Sequence, residues 1–161
     1  QYDAAGQTKA VAYDLRGRLI ETAKKLATDY TAEPDWSALE SVTSPATAES
    51  TASGDLESET FGETRAFDAL GRPTSVTTPD DSEIKPTYNE AGLLEAVEAR
   101  VRGAGTWTSF VEGIEYDAKG RRSRIEYGNG TATEYEYDEL TFRLTRLTTT
   151  RASDSAVVSP T

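Results

Sequence analysis

Tyr116-Asp117-Ala118-Lys119-Gly120-Arg121 is a ring, an acid, two variable residues, a glycine and a base, and the same order returns along the chain. Its other instances are Tyr2-Asp3-Ala4-Ala5-Gly6-Gln7, Tyr13-Asp14-Leu15-Arg16-Gly17-Arg18, Phe67-Asp68-Ala69-Leu70-Gly71-Arg72 and Tyr88-Asn89-Glu90-Ala91-Gly92-Leu93. A longer copy, Tyr137-Asp138-Glu139-Leu140-Thr141-Phe142-Arg143, keeps the Tyr-Asp pair and loses the glycine. Successive aromatic positions are separated by 11, 54, 21, 28 and 21 residues, so the underlying unit is near 21 residues. Internal repetition on this scale marks an array of like supersecondary units.

The motif is an instruction to turn. Asp is favoured at the first position of a type I turn because its carboxylate accepts a hydrogen bond from the backbone two residues on, and Gly at the fourth takes positive φ. A type I turn followed by a left-handed residue closes a hairpin with a G1 bulge, whose twist suits the flanking strands. The aromatic residue then ends the incoming strand, and the long or basic residue opens the returning one.

The flanks agree. Thr133-Glu134-Tyr135-Glu136-Tyr137 alternates polar and aromatic residues, and Arg143-Leu144-Thr145-Arg146-Leu147-Thr148 is rich in strand formers. Tyr127-Gly128-Asn129-Gly130-Thr131 and Pro79-Asp80-Asp81-Ser82 carry turn residues of a second kind, which reverse the chain at the opposite end of each hairpin. An all-β antiparallel meander is the expected architecture.

Composition excludes more than it assigns. The 161 residues carry 28 acids and 17 bases, a net charge of −11 that disfavours nucleic acid and anionic membrane surfaces. No run is apolar enough for a membrane span. The chain has no Cys and no His, so disulfide frameworks, Cys/His zinc sites and Ser-His-Asp triads cannot be built from it. No cofactor or metal is expected. Hydrophobic residues make up 36%, which suits sheets with one wet face. The opening Gln1-Tyr2-Asp3 already lies in mid-repeat without an initiator Met, so a piece of something longer is expected.

Two segments break the rhythm. Leu19, Ala23, Leu26 and Tyr30 fit a helical period, whereas Ile20, Thr22, Leu26, Thr28 and Tyr30 fit a period of two with a miss at Lys24, which leaves this stretch open between helix and strand. From Ser41 to Glu59 the chain is mostly Ser, Thr, Ala and Glu, too poor in apolar area to offset the entropy of ordering. A mobile surface loop is expected there. The organisation read from these signals is a single repeat fragment: residues 1–40 hold the first repeats and an extended segment, 41–60 an irregular insertion, 61–150 the hairpin repeats and 151–161 a tail.

With these motifs in place, the chain resembles the Rhs/YD-repeat superfamily, and more closely the shell region of the B component of bacterial insecticidal toxin complexes (Tc toxins). The stretches that carry the resemblance are Tyr116 to Arg122 running into Ile125-Glu126-Tyr127-Gly128-Asn129-Gly130, then Tyr137 to Leu144, with Tyr88 to Leu94 and Asp35-Trp36 as further landmarks. The resemblance implies hairpins wound into a curved, hollow wall that encloses a toxic C-terminal polypeptide in a secreted complex. It implies a strand for residues 20–30. It also implies partners: the remaining repeats of the parent shell, the enclosed polypeptide and other toxin-complex subunits. The family's self-cleaving aspartyl protease motif is not matched, so cleavage is assigned to no Asp of this chain.

The motif acids could be read as a metal array, but calcium loops gather several carboxylates within about a dozen residues, and each turn here has one. Asp80 with Asp81, or Glu134 with Glu136, could be read as a glycosidase pair. Residues two apart on a strand share one face, so a solvated stripe explains Glu134 and Glu136 more simply. Trp107, Tyr127 and Tyr135 could stack on sugar rings, which makes a carbohydrate- or cell-surface-binding module the rival reading. Aromatics in strands more often pair across the sheet. Arg100, Arg102, Arg121, Arg122 and Arg124, with acids interleaved, are expected to form cross-strand ion pairs. The reading carried forward is structural and not enzymatic.

Overall fold

The computed structural model describes residues 1–151 and the backbone of residues 154–158. The repeats form strands joined in chain order by reversals, an antiparallel meander as the motif requires. Two compact units are distinguished within it, Gln1–Ala66 with Thr77–Pro79, and Phe67–Val76 with Asp80–Thr161.

In the first unit, β1 (Tyr2–Asp3), β2 (Gly6–Tyr13), β3 (Leu19–Leu26) and β4 (Phe61–Phe67) follow one another. The stretch that fitted both periods is strand over Leu19–Leu26, because its partners lie on both sides: Lys9 opposite Ala23 on β2, and Gly62 opposite Ala23 on β4. Cross-strand pairing of this kind overrides a weak local period.

The insertion departs from expectation. Where an irregular mobile loop is expected over 41–60, residues Pro45–Ala52 form a helix, α1, with Pro in its first turn, where the missing N–H costs nothing. The reason is tertiary. Thr28 N–H donates to Asp55 C=O and Glu57 N–H to Leu26 C=O, and an isolated bridge joins Ala27 to Leu56, so the segment returns onto the end of β3. Ala52, Leu56 and Ala27 are buried there, and Lys9 of β2 pairs with Glu49 of α1. A small local core is thus built from short side chains, which a reading based on bulk hydrophobicity overlooks. Upstream, Trp36 packs on Tyr2 with ring centroids 5.2 Å apart and donates from Nε1 to the Asp3 carbonyl at 3.0 Å.

In the second unit the order is β5 (Pro73–Thr77), β6 (Glu83–Tyr88), β7 (Leu94–Arg100), β8 (Thr108–Tyr116), β9 (Arg122–Tyr127), β10 (Thr131–Tyr137), β11 (Leu144–Arg151) and β12 (Asp154–Val158). The tail expected over 151–161 thus contains backbone strand at Asp154–Val158, paired with β11, and otherwise lies outside the described residues. Alternation sorts the faces. Ile114, Ile125, Thr133 and Leu147 belong to one, through the pairs Ile114 to Ile125, Thr133 to Ile125 and Tyr135 to Leu147. Arg124, Glu126, Glu134, Glu136 and Arg146 share the other, where Arg124 reaches Glu134 across the strands at 2.9 Å. Ile125 and Thr133 are buried, yet no large side chain among the described residues is fully enclosed. This unit is a sheet held by pairing along its plane.

Candidate functional site

The repeated turns are the feature that the sequence singles out, and their geometry recurs. In the turns at Asp14, Asp68, Asn89 and Asp117, the N–H of the glycine three residues on donates to the carbonyl of the motif residue at 2.8–3.1 Å. The N–H of the motif residue donates in turn to the carbonyl of the sixth motif position, Arg18, Arg72, Leu93 or Arg121, at 2.9 Å. Gly17, Gly71, Gly92 and Gly120 take φ from +76° to +88°. The register slips by one residue beside Tyr13, Tyr88, Tyr116 and Tyr137, as between Glu115 and Tyr116, which is the mark of a bulge.

The acids Asp14, Asp68 and Asp117 each do two jobs. At Asp117, Oδ1 accepts the N–H groups of Lys119 and Arg121, both at 2.9 Å, while Oδ2 accepts Arg121 Nε at 2.7 Å. Asp14 and Asp68 repeat this arrangement with Arg16 and Arg18, and with Leu70 and Arg72. Backbone N–H groups and the neighbouring guanidinium favour the charged form, so these carboxyls titrate below their ordinary range. Asp3 Oδ1 accepts the Ala5 N–H at 2.8 Å, and its Gly6 stands at φ +125° with an added Cβ falling 2.2 Å from the Lys25 carbonyl. Glycine is required there by the close approach of β3.

The turn at Asp138 is longer by a residue. Phe142 takes the left-handed position at φ +61° and donates its N–H to the Asp138 carbonyl, while Thr141 bonds Asp138 Oδ1 through both N–H and hydroxyl. The ring of Phe142 lies under Lys119 of the preceding turn, and Arg121 Nη1 donates to the Phe142 carbonyl at 3.3 Å.

What reading by turn chemistry misses is the link from one turn to the next. Arg72, fixed by Asp68, lies 4.4 Å over the ring of Tyr88, and Tyr88 Oη donates to the Pro73 carbonyl at 3.0 Å. Arg121, fixed by Asp117, lies 4.2 Å over Tyr137, and Tyr137 Oη donates to the Arg122 carbonyl at 2.9 Å. The ring and hydroxyl of one motif therefore lock onto the base and backbone of the motif before. The signal was present in the sequence as a basic residue recurring at the sixth position.

The remaining singled-out residues do not converge. Trp107 lies with Lys85 Nζ 3.8 Å and the Arg100 guanidinium 5.5 Å from its ring centroid, and Glu83 joins both cations. Its ring face is thus taken up by the protein itself. Tyr127 stands in register with Val111, and Tyr135 with Leu147. Among the described residues no group of 3 or more acids gathers as a cation cage, and no helix is long and apolar enough to cross a membrane. A cavity of about 350 Å³ between α1 and the β2–β3 pair is lined by Lys9, Val11, Ala23, Lys25 and Glu49 among others, a mixed wall with no catalytic constellation.

Comparison with known proteins places this geometry. No family model matches the chain. Over 150 residues it is 28% identical to the toxin subunit YenC1 of Yersinia entomophaga, a match covering 93% of this chain and 14% of that protein. With YenC2 of the same organism it is 26% identical over 158 residues, covering 96% of the chain and 15% of the relative. The crystal structure of TcdB2-TccC3 superposes with a TM-score of 0.83 at 28% identity, covering 98% of this chain and 7% of that one. The Photorhabdus luminescens Tc holotoxin pore gives the same TM-score of 0.83, again at 28% identity, 98% of this chain and 7% of the other. The chain therefore spans only 14–15% of the length of these curated relatives.

Proposed function

We propose that this chain, which is related to the Rhs/YD-repeat subunits of Tc toxins, is a wall segment of a toxin-complex shell and contributes no active site of its own. The observation that carries this reading is the turn-to-turn lock. At Asp68, Arg72 and Tyr88, and again at Asp117, Arg121 and Tyr137, the motif's acid, base, ring and hydroxyl are engaged in joining hairpin to hairpin. Side chains spent on one another give a barrier, and they are not arranged to bind or turn over a substrate. In the proposal the wall keeps an enclosed toxic polypeptide apart from proteases and from the cytosol of the producing cell. In the proposal neighbouring repeats of the parent pair with the sheet edges, since an open edge strand is a template for another strand. Other toxin-complex subunits are the further partners, and the assembled complex acts outside the producing cell.

The test uses the full-length parent subunit with its enclosed polypeptide. Replacing Asp68, Arg72, Asp117 and Arg121 together by Asn and Leu should leave the polypeptide open to added protease while it stays resistant in the parent. Unchanged resistance would refute containment by this wall. A glycan array probed with the 161-residue chain and its Trp107→Ala form addresses the rival: specific binding lost in the variant would replace the wall reading with a carbohydrate-binding one.

A further inference from the structure

The second unit contains three strand pairs of one kind, in which the sixth motif residue opens one strand and the next motif's tyrosine ends its neighbour: β5 with β6, β7 with β8, and β9 with β10. They are not built alike. At β5–β6, Arg72 stands over Tyr88, and at β9–β10, Arg121 stands over Tyr137, each guanidinium held by its own turn aspartate.

At β7–β8 both charged members are replaced. Asn89 stands in the aspartate position and Leu93 in the arginine position. Tyr116 Oη still donates to the Leu94 carbonyl at 2.7 Å, so the hydroxyl half of the lock survives. The cation over the ring and the ion pair are gone, because leucine has neither charge nor donor. Asn89 Oδ1 accepts the Leu93 N–H at 3.0 Å, and the bond that Leu70 and Lys119 make in the neighbouring turns has no counterpart from Ala91 among the described residues.

The far ends of the two strand pairs are also closed differently, the β7–β8 connection being tied through the Arg102 N–H to Ser82 Oγ and the Gly103 N–H to the Asp81 carbonyl, both at 2.9 Å. β9 and β10 are joined by the short turn Gly128-Asn129-Gly130, whereas β7 and β8 are joined through residues 101–107, where Arg102 and Gly103 take φ of +49° and +65°. The ladder between β7 and β8, Val97 to Val111, Glu98 to Ser109 and Ala99 to Thr108, is as long as that between β9 and β10, Ala132 to Glu126, Thr133 to Ile125 and Glu134 to Arg124, but it alone of the two is interrupted by a bulge, between Val97 and Glu98. A bulge leaves a residue unpaired and disrupts the ladder locally. Local opening begins where closure is weakest.

We infer that the β7–β8 boundary is a built-in seam of this sheet, the place where consecutive hairpins part first, and that the missing Asp-Arg lock at Asn89 and Leu93 sets it. This goes beyond the proposed function, since the seam operates whatever the wall encloses. Leu93 does bring its Cδ1 toward Gly120, 3.9 Å from where a Cβ would stand, so apolar contact offsets part of the loss. The experiment must therefore measure opening directly.

Residue-resolved amide exchange on the 161-residue chain does so. The amides that join β7 to β8 should exchange roughly fivefold or more faster than those that join β9 to β10, the ratio expected of a lock of about one kcal/mol. Asn89→Asp with Leu93→Arg should slow β7–β8 exchange by a similar factor and leave β9–β10 as it was. Asp117→Asn with Arg121→Leu should do the reverse and open a second seam at β9–β10. Equal protection of both ladders in the unmodified chain, or no response of β7–β8 to the installed Asp and Arg, overturns the inference. If the installing variant fails to fold, the removing variant still decides, since it must raise exchange at β9–β10 selectively.

Discussion

The guanidinium of Arg121 is gripped from two sides, by the carboxylate of Asp117 in its own turn and by the ring of Tyr137, 4.2 Å away, at the end of the next hairpin strand. A turn motif thereby becomes an inter-strand fastening. The aspartate orders the arginine, so the cost of fixing a long side chain is shared between two interactions. Arg121→Leu should lower stability by about 1–2 kcal/mol, and a double-mutant cycle with Tyr137→Leu should return a coupling of roughly 0.5–1 kcal/mol. Denaturant melts of the four proteins supply the numbers, and a coupling near zero would show that ring and guanidinium are merely adjacent.

The turn carboxylates fix the sign of the acid response. Asp14 and Asp68 are lowered from 3.8 first by the backbone N–H of Arg18 and Arg72, and Asp117 first by the Arg121 side chain, with desolvation opposing in each. A carboxyl lowered on folding contributes stability that is complete above its unfolded value and disappears as pH falls through the folded one. Melting temperature should therefore hold from neutrality down to about pH 4 and drop below it. Asp68→Asn with Asp117→Asn should melt lower at neutral pH, and the gap to the parent should close in acid. A gap that persists undiminished at pH 2 would remove the carboxylates from this account.

Gly120 tests the turn itself. At φ +76° an added Cβ meets nothing nearer than Leu93 Cδ1 at 3.9 Å, so any cost there belongs to the backbone and not to crowding. Gly120→Val should destabilise by about 1–2 kcal/mol, and Gly120→Asn by much less, because Asn tolerates the left-handed region. Gly6→Ala should cost more than Gly120→Ala, since its Cβ would also collide with the Lys25 carbonyl. Thermal melts rank the set; equal melting of Gly120→Val and the parent would contradict the turn geometry.

These cases show where the sequence was readable. Tyr-Asp-x-x-Gly carries its own dihedral and hydrogen-bond demands within six residues, so hairpin ends and the meander could be read from Tyr116 to Arg121 before any coordinates. The lock of Arg121 on Tyr137 was not readable in that way, because it depends on which strands become neighbours and not on local preference. Leu19–Leu26 was ambiguous for the same reason: its periods conflict, and the pairs of Ala23 with Lys9 and Gly62 decide it. For Trp107 the sequence favours packing over a sugar platform without naming the partner, because the Lys85 ammonium over its ring comes from an element distant in sequence.

The insertion provides the last test. By composition residues 41–59 cannot order themselves, but Ala52 at 2% exposure and Leu56 at 9% are packed where the segment returns to β3. Small side chains achieve this because they lose almost no rotamer freedom on burial, so even modest apolar contact is net favourable when backbone bonds such as Thr28 N–H to Asp55 C=O close the ring. Ala52→Glu places a charge in a site with no room or partner for it and should release the segment without melting β7 to β11, which lie in the other unit. Limited proteolysis with mapped cut sites distinguishes the outcomes. The parent should resist cleavage between Ser41 and Glu59 under conditions that cut Ala52→Glu there at least about tenfold faster, the ratio set by 1.4 kcal/mol of lost closure. Rapid cutting of the parent at the same bonds would return this segment to the mobile loop that its composition describes.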